Sequence, residues 1–285
     1  MKTLVVLRCG DQSLHPNWVN KHANFDVILS YFGNDLKYDL SHIKHVHYFK
    51  GSKWEGLYDF FKFNEKLWKS YDYIWLPDDD LDTTVENLNE YFQLNNAHGF
   101  ALSQPALTHH SYYSHPITLK VNNFIYRETN FVEVMAPCFS NEAFQKCMET
   151  FFENQSGWGL DSLWPHILSS FKIGILDKTP IYHTRPVGSA GNGTGNSNTS
   201  PQNEFNSLIT KYYLIPRLNC FSGLLSTNQF ITNRAILFHH ICIGSQKSRL
   251  STKKSFQKLY KEVFFSSHFF IEFRRLCKKI KGQFQ

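Results

Sequence analysis

The amino-acid sequence predicts an α/β domain: a largely parallel sheet with helices packed on its faces. Three observations carry this expectation. Short apolar runs rich in β-branched and aromatic residues recur between residues 4 and 176. Several are apolar at every position, as strands buried on both faces are. Between them lie segments whose apolar residues return every three or four positions, the spacing of an amphipathic helix.

Taken in order, the strand candidates are LVVL (4–7), DVILSYF (26–32), HVHYF (45–49), YIWL (73–76), FALS (100–103), FVEVM (131–135) and KIGIL (172–176). From Trp54 to Tyr71, the residues Leu57, Phe60, Phe61, Leu67, Trp68 and Tyr71 form a helical stripe. Val85, Leu88, Tyr91 and Phe92 form the next, and Thr83 with Glu86 three residues on has the form of a capping box, so Asp82 and Thr83 are assigned to capping. Two further helices are expected, over 141–152 behind Ser140 and over 160–170. After the last strand, GSAGNGTGNSNTSP (188–201) is too polar and glycine-rich to pack and is expected to be a mobile loop. Its GNGTGN resembles a phosphate-binding glycine motif only superficially, because no helix opens within it and no lysine follows. The expected organisation is a catalytic domain over 1–187, the loop over 188–204 and a helical, basic region over 205–285.

A chain of 285 residues, 42% hydrophobic, can build a substantial core as one large domain or two small ones. Its longest apolar runs, LVVL and AILF (235–238), fall far short of the roughly 20 residues a membrane-spanning helix needs. The first residues, MKTLVVLRCGDQS, lack the apolar core of a signal peptide, so a cytoplasmic location is expected. Six scattered cysteines without a C-x-x-C pair argue against a zinc site or a disulfide framework and for reduced, mostly buried thiols. The net charge of +6 is a property of the tail: Lys247 to Lys281 holds eleven Lys or Arg against two Glu, leaving the remainder net acidic.

YIWLPDDDLD (73–82) runs a buried strand straight into Asp78, Asp79, Asp80 and Asp82. In open α/β sheets ligands bind beyond the carboxyl ends of strands, where this cluster lies. Mn2+ or Mg2+ prefers oxygen and is commonly held by one or two carboxylates with the phosphates of a substrate. Asp78 and Asp80, two positions apart, can serve one such ion. A solvated acidic turn is the other reading of the same residues. SGWGLDSLWP (156–165) places Asp161 just past a Gly-Trp-Gly turn at a helix start, with the Trp158 ring as a platform for a sugar. A carboxylate there can take a proton from an incoming hydroxyl, or simply favour the helix N-terminus. In GILDKTPIYHTRP, His183 can complete a carboxylate-rich metal site and Arg185 can neutralise phosphate.

PDDDLD, RETNFVEVMAPCFS (127–140), SGWGLD and KIGILDKTPIYHTRPVG, in this order over roughly residues 1–190, resemble the ordered signature of glycosyltransferases with the GT-A fold. They are most similar to a glycosyltransferase-like family catalogued as a domain of unknown function. The resemblance implies a Rossmann-type mixed sheet flanked by helices. It implies that Asp78 and Asp80 form the D-x-D engaging a nucleotide sugar and its metal, with His183 as the late ligand and Asp161 as the base of an inverting reaction. Asp79, Lys53 (in FKGSKWEGL), Gly10 and Arg185 fall to the donor, Glu133 and Trp158 to the acceptor. Better-known inverting members often carry Glu-Asp after Trp-Gly, whereas Leu160 precedes Asp161 here.

The expected function is therefore metal-dependent transfer of a sugar from a nucleoside diphosphate to a glycan hydroxyl. Two rival readings start from the same residues. DLDTT (80–84) matches the D-x-D-x-T of haloacid-dehalogenase-type phosphatases, but the later acidic pair that chemistry needs is missing. A metal-dependent carbohydrate-binding protein would need no reactive group beside Trp158. The tail FQKLYKEVFFSSHFFIEFRRLCKKIKG (256–282) can lie on an anionic membrane, on the inner face and near a lipid-linked glycan of bacterial surface polysaccharide, or can pack on the body. No nucleic-acid motif accompanies the charge.

Overall fold

The computed structural model describes residues 1–186 and 200–246, apart from 215 and 217. The elements are β1 (Thr3–Cys9), β2 (Asp26–Tyr31), β3 (His45–Tyr48), α1 (Lys53–Phe63), α2 (Glu65–Trp68), β4 (Tyr73–Trp75), β5 (Leu81–Asp82), α3 (Val85–Ala97), β6 (Leu102–Leu107), β7 (Phe124–Thr129), β8 (Cys138–Ser140), α4 (Asn141–Cys147), α5 (Leu160–Ile167), β9 (Ile173–His183), α6 (Pro201–Tyr212), β10 (Cys220–Leu225), β11 (Phe230–Ile231) and α7 (Arg234–Gln246). The sheet runs in the order β11-β10-β7-β9-β6-β8-β4-β1-β2-β3, with β5 paired to β9 off this path. β3, β2, β1 and β4 are parallel, as are β6 and β9. β8 lies antiparallel between β4 and β6, and β7, β10 and β11 extend the sheet antiparallel beyond β9. The result is a mixed α/β sheet flanked by helices.

Strand periodicity explains the layers. Leu4 and Val6 of β1 face a core filled by Leu57, Phe60 and Phe61 of α1, Phe144 of α4 and Trp164 of α5. Val5 and Leu7 face the opposite core, built with Val85, Leu88, Tyr91 and Phe92 of α3. A third cluster lies under α7, where Leu237 and Ile241 meet Phe124 and Ile175. Cys9, Cys138, Cys147 and Cys220 are buried free thiols and Cys242 is a partly buried one; Cys277 lies outside the described residues.

Several elements differ from expectation for identifiable reasons. FVEVM is not a strand: the Glu133 N–H goes to the Gln104 side chain at 2.6 Å and the Ala136 N–H turns back to the Glu133 carbonyl. These backbone groups are thus satisfied without a ladder. The helical stripe from Trp54 breaks at Asn64, whose side chain bonds the Phe60 carbonyl and competes with the helix. Thr84, not Thr83, caps α3 by accepting from the Asn87 N–H, and Thr83 accepts from the Asn87 side chain instead. Asp82 belongs to β5 and accepts from Asn17. The helix behind Ser140 turns into a tighter 3-10 stretch over Met148–Glu153. α6 starts at Pro201, capped by Ser200, inside the stretch expected to be a loop. The region expected to be helical after 205 also contributes β10 and β11 to the sheet. Residues 188–199 of the expected loop, and the basic tail from Lys247, lie outside the described residues. Among the described residues, no helix is long and apolar enough to cross a membrane.

Candidate functional site

The chain leaves β4 at Trp75, passes Leu76 and Pro77, and turns at Asp79 and Asp80. What fixes the cluster is β5, whose Leu81 pairs with His183 at the end of β9. This clasp lays Asp80 against His183: Asp80 Oδ2 is 3.2 Å from His183 Nε2. The Asp80 carbonyl accepts from both the N–H and the hydroxyl of Thr184, at 3.1 and 2.8 Å. Two residues expected from their sequence positions to work together, 103 apart by number, are thereby brought together by one antiparallel pair.

The His183 ring is held from its other side. Its Nδ1 lies 2.7 Å from the Tyr112 carbonyl, and its backbone N–H donates to the Ser111 hydroxyl at 3.1 Å. A proton on Nδ1 is required for that carbonyl contact, which turns Nε2 toward Asp80. Burial alone would lower the imidazole pKa, but the Asp80 contact and the Tyr112 carbonyl win and raise it. Asp80 Oδ1 is buried with no hydrogen-bond partner. An orphaned carboxylate oxygen beside an oriented imidazole is a donor set that fits a hard divalent cation. Asp78, the third expected ligand, is turned to Lys53, 2.6 Å from its Nζ. Among the described residues no group of three or more His, Cys, Asp or Glu side chains is placed to hold a metal ion.

The remaining residues expected on the donor side surround the same cluster. Lys53, at the first position of α1, also donates to the Val134 carbonyl at 2.8 Å. The Gly10 N–H, just past β1, donates to Asp79 Oδ2 at 2.8 Å, and Arg185 approaches Asp79 Oδ1 at 3.4 Å while bonding the Gln12 carbonyl. Burial raises the pKa of both Asp78 and Asp79, opposed by Lys53 at Asp78 and by Gly10 and Arg185 at Asp79. Carboxylates this close that resist ionisation mark a place where added positive charge is favourable.

Asp161 stands in the first turn of α5 behind the Gly-Trp-Gly turn. Gly157 (φ +84°) and Gly159 (φ +96°) take left-handed conformations, and a side chain on Gly157 would meet Trp54 Nε1 at 2.3 Å. That close approach seats the turn on α1, whose first residue is Lys53. Glu55 of α1 accepts from the Gln155 amide at 2.7 Å, and Glu204 of α6 accepts from the Ser156 N–H at 2.9 Å. Burial lifts Asp161 to about 6, against hydrogen bonds from Ser162 and the first-turn amides. Glu133 is buried with Oε2 unpartnered, and its burial, with the Asp161 charge adding to it, raises it to about 8. Trp158 is 51% exposed.

Sequence reasoning missed Ser111 and Tyr112, which orient His183, and Glu204, which locks the turn before Asp161. All three act through sequence-distant contacts; only the density of polar and aromatic residues in THHSYYSHP (108–116) singles out the first two.

The sequence model of a family described as "Protein of unknown function (DUF707)" matches residues 18–213. No curated protein matches the chain. Among solved structures, S. aureus TarS is similar over 74% of this chain and 44% of that one, at 9% identity and a TM-score of 0.42. S. aureus TarS 1–349 in complex with UDP-GlcNAc is similar over 91% of this chain and 70% of that one, at 10% identity and a TM-score of 0.45. The chain thus spans less than half the length of the first of these.

Proposed function

Because this chain belongs to the DUF707 family, whose description assigns no reaction, its chemistry rests on the site, and we propose a metal-dependent glycosyltransferase that moves a sugar from a nucleoside diphosphate to a glycan hydroxyl. The observation that carries this reading is the pairing of orphaned Asp80 Oδ1 with an imidazole whose Nε2 faces the same carboxylate. The ordered sequence blocks resembling GT-A glycosyltransferases support it independently.

In this reading Asp80 and His183, with Asp78 beside them, would hold Mn2+ or Mg2+. The ion would supply positive charge against the leaving diphosphate. Lys53 and Arg185 bind the same diphosphate, and the Gly10–Asp79 contact holds the loop after β1 at the donor. Asp161, ionised above about 6, accepts the proton of the acceptor hydroxyl. The acceptor oxygen forms the new bond to the anomeric carbon as the bond to the diphosphate oxygen breaks. That bonding pair leaves on the phosphate. Attack from the side opposite the diphosphate inverts the anomeric centre. Glu133, kept protonated to about 8, offers a hydrogen-bond donor on the acceptor side, and Trp158 an aromatic face for a sugar ring.

Thermal unfolding with a panel of nucleoside diphosphates, with and without Mn2+, tests the reading. A manganese-dependent rise in Tm for one base, lost in Asp80→Asn, is the expected result, followed by release of that diphosphate from its nucleotide sugar. Equal shifts without metal would remove the ion from the reading, and binding of sugars with no turnover of any nucleotide sugar would favour a carbohydrate-binding protein instead.

A further inference from the structure

A cleft of about 170 Å3 opens beside α5. Its walls come from three separate stretches: Asn130 and Phe131 just beyond β7; Ser162, Pro165 and His166 on α5; and Leu214, Pro216 and Leu218 in the chain leading to β10. We propose that this cleft binds the terminal pyranose ring of the acceptor glycan and presents its hydroxyl to Asp161, an inference that rests on the glycosyltransferase reading above.

Position is the first argument. Ser162 lines the cleft and also donates to Asp161 Oδ1 at 3.3 Å. The wall therefore begins one residue from the carboxylate that takes the proton. Phe131, which also lines the cleft, is two residues from Glu133, whose pKa feels the Asp161 charge.

Lining chemistry is the second. Among the described residues no Lys, Arg, Asp or Glu contributes to the walls. Phe131, Pro165 and Leu214 are buried and present apolar surface, while Ser162 and the exposed His166 add polar groups. A pyranose has the matching character, with C–H faces that pack on apolar rings and a rim of hydroxyls. Size is the third argument. Sites for drug-sized ligands run to about 300–1,000 Å3, so a cleft of about 170 Å3 holds one sugar ring and leaves the rest of a glycan in solvent.

Saturation-transfer NMR with methyl pyranosides (glucoside, galactoside, mannoside and N-acetylglucosaminide) tests the cleft without any turnover. At least one should receive saturation from the wild-type protein. Leu218→Trp, which fills the cleft, should abolish that signal, and His166→Ala, at an exposed rim position, should weaken it several-fold. Stabilisation by a nucleoside diphosphate with Mn2+ should persist in both. If Leu218→Trp does not fold, His166→Ala alone decides. Signals that survive both variants, or no signal from any pyranoside, overturn the proposal. Turnover of a nucleotide sugar without cleft-dependent pyranoside binding would remove the cleft and leave the enzyme reading standing. Cleft-dependent binding without nucleotide response or turnover would do the reverse.

Discussion

Asp161 and Glu133 show how one environment gives two carboxyl groups different work. With Asp161 raised to about 6, kcat/KM for transfer should climb with pH through that value and level off above it, as measured in a pH–rate profile. Asp161→Asn should lower kcat by about a hundred- to ten-thousand-fold with little change in Tm. Glu133 makes a prediction about stability. Its value rises on folding from 4.5 to about 8, so between these pH values the native protein keeps a proton that the unfolded chain has lost. Stability attributable to this residue must then fall as pH rises through that window, and flatten above it. Urea unfolding should show Glu133→Gln gaining on the wild type by a few kcal/mol from the acid to the alkaline end.

The β5–β9 clasp is the element on which the proposed metal-binding pair depends. Thr184→Val keeps the backbone bond to Asp80 and removes the hydroxyl one. A loss of about 1 kcal/mol in unfolding free energy is expected, together with a weaker manganese-dependent thermal shift. The sequence made the ends of this clasp legible, because YIWLPDDDLD and PIYHTRP each join an apolar run to reactive residues. It did not reveal the two-residue strand joining them, since a pair that short leaves no periodicity to read. The same limit hid β8 at three residues, while β6 runs on past the expected FALS through Pro105, beside a shift in register. α1, α3 and α5 were legible because their buried stripes span two or more turns.

At the scale of the whole molecule, the antiparallel half of the sheet is held by a buried ion pair. Arg127 on β7 binds both oxygens of Asp177 on β9, at 2.8 and 3.0 Å, and donates to the Ile117 and Leu119 carbonyls. Arg127→Ala would strand a buried charge at full depth and should cost roughly 3–5 kcal/mol in denaturant unfolding. Charged residues inside FIYRET were the reason this strand escaped the apolar pattern, although one of them, Arg127, adds a side-chain tie to the ladder with β9. β1 carries a related lesson. It is hydrogen-bonded along both edges, to β2 and β4, yet it precedes residue 18, where the family match begins. β10 and β11 follow residue 213, where that match stops. A fragment trimmed to the shared stretch would lack the central ladder and bare the outer edge of β7, so it should go into inclusion bodies where the longer chain stays dispersed.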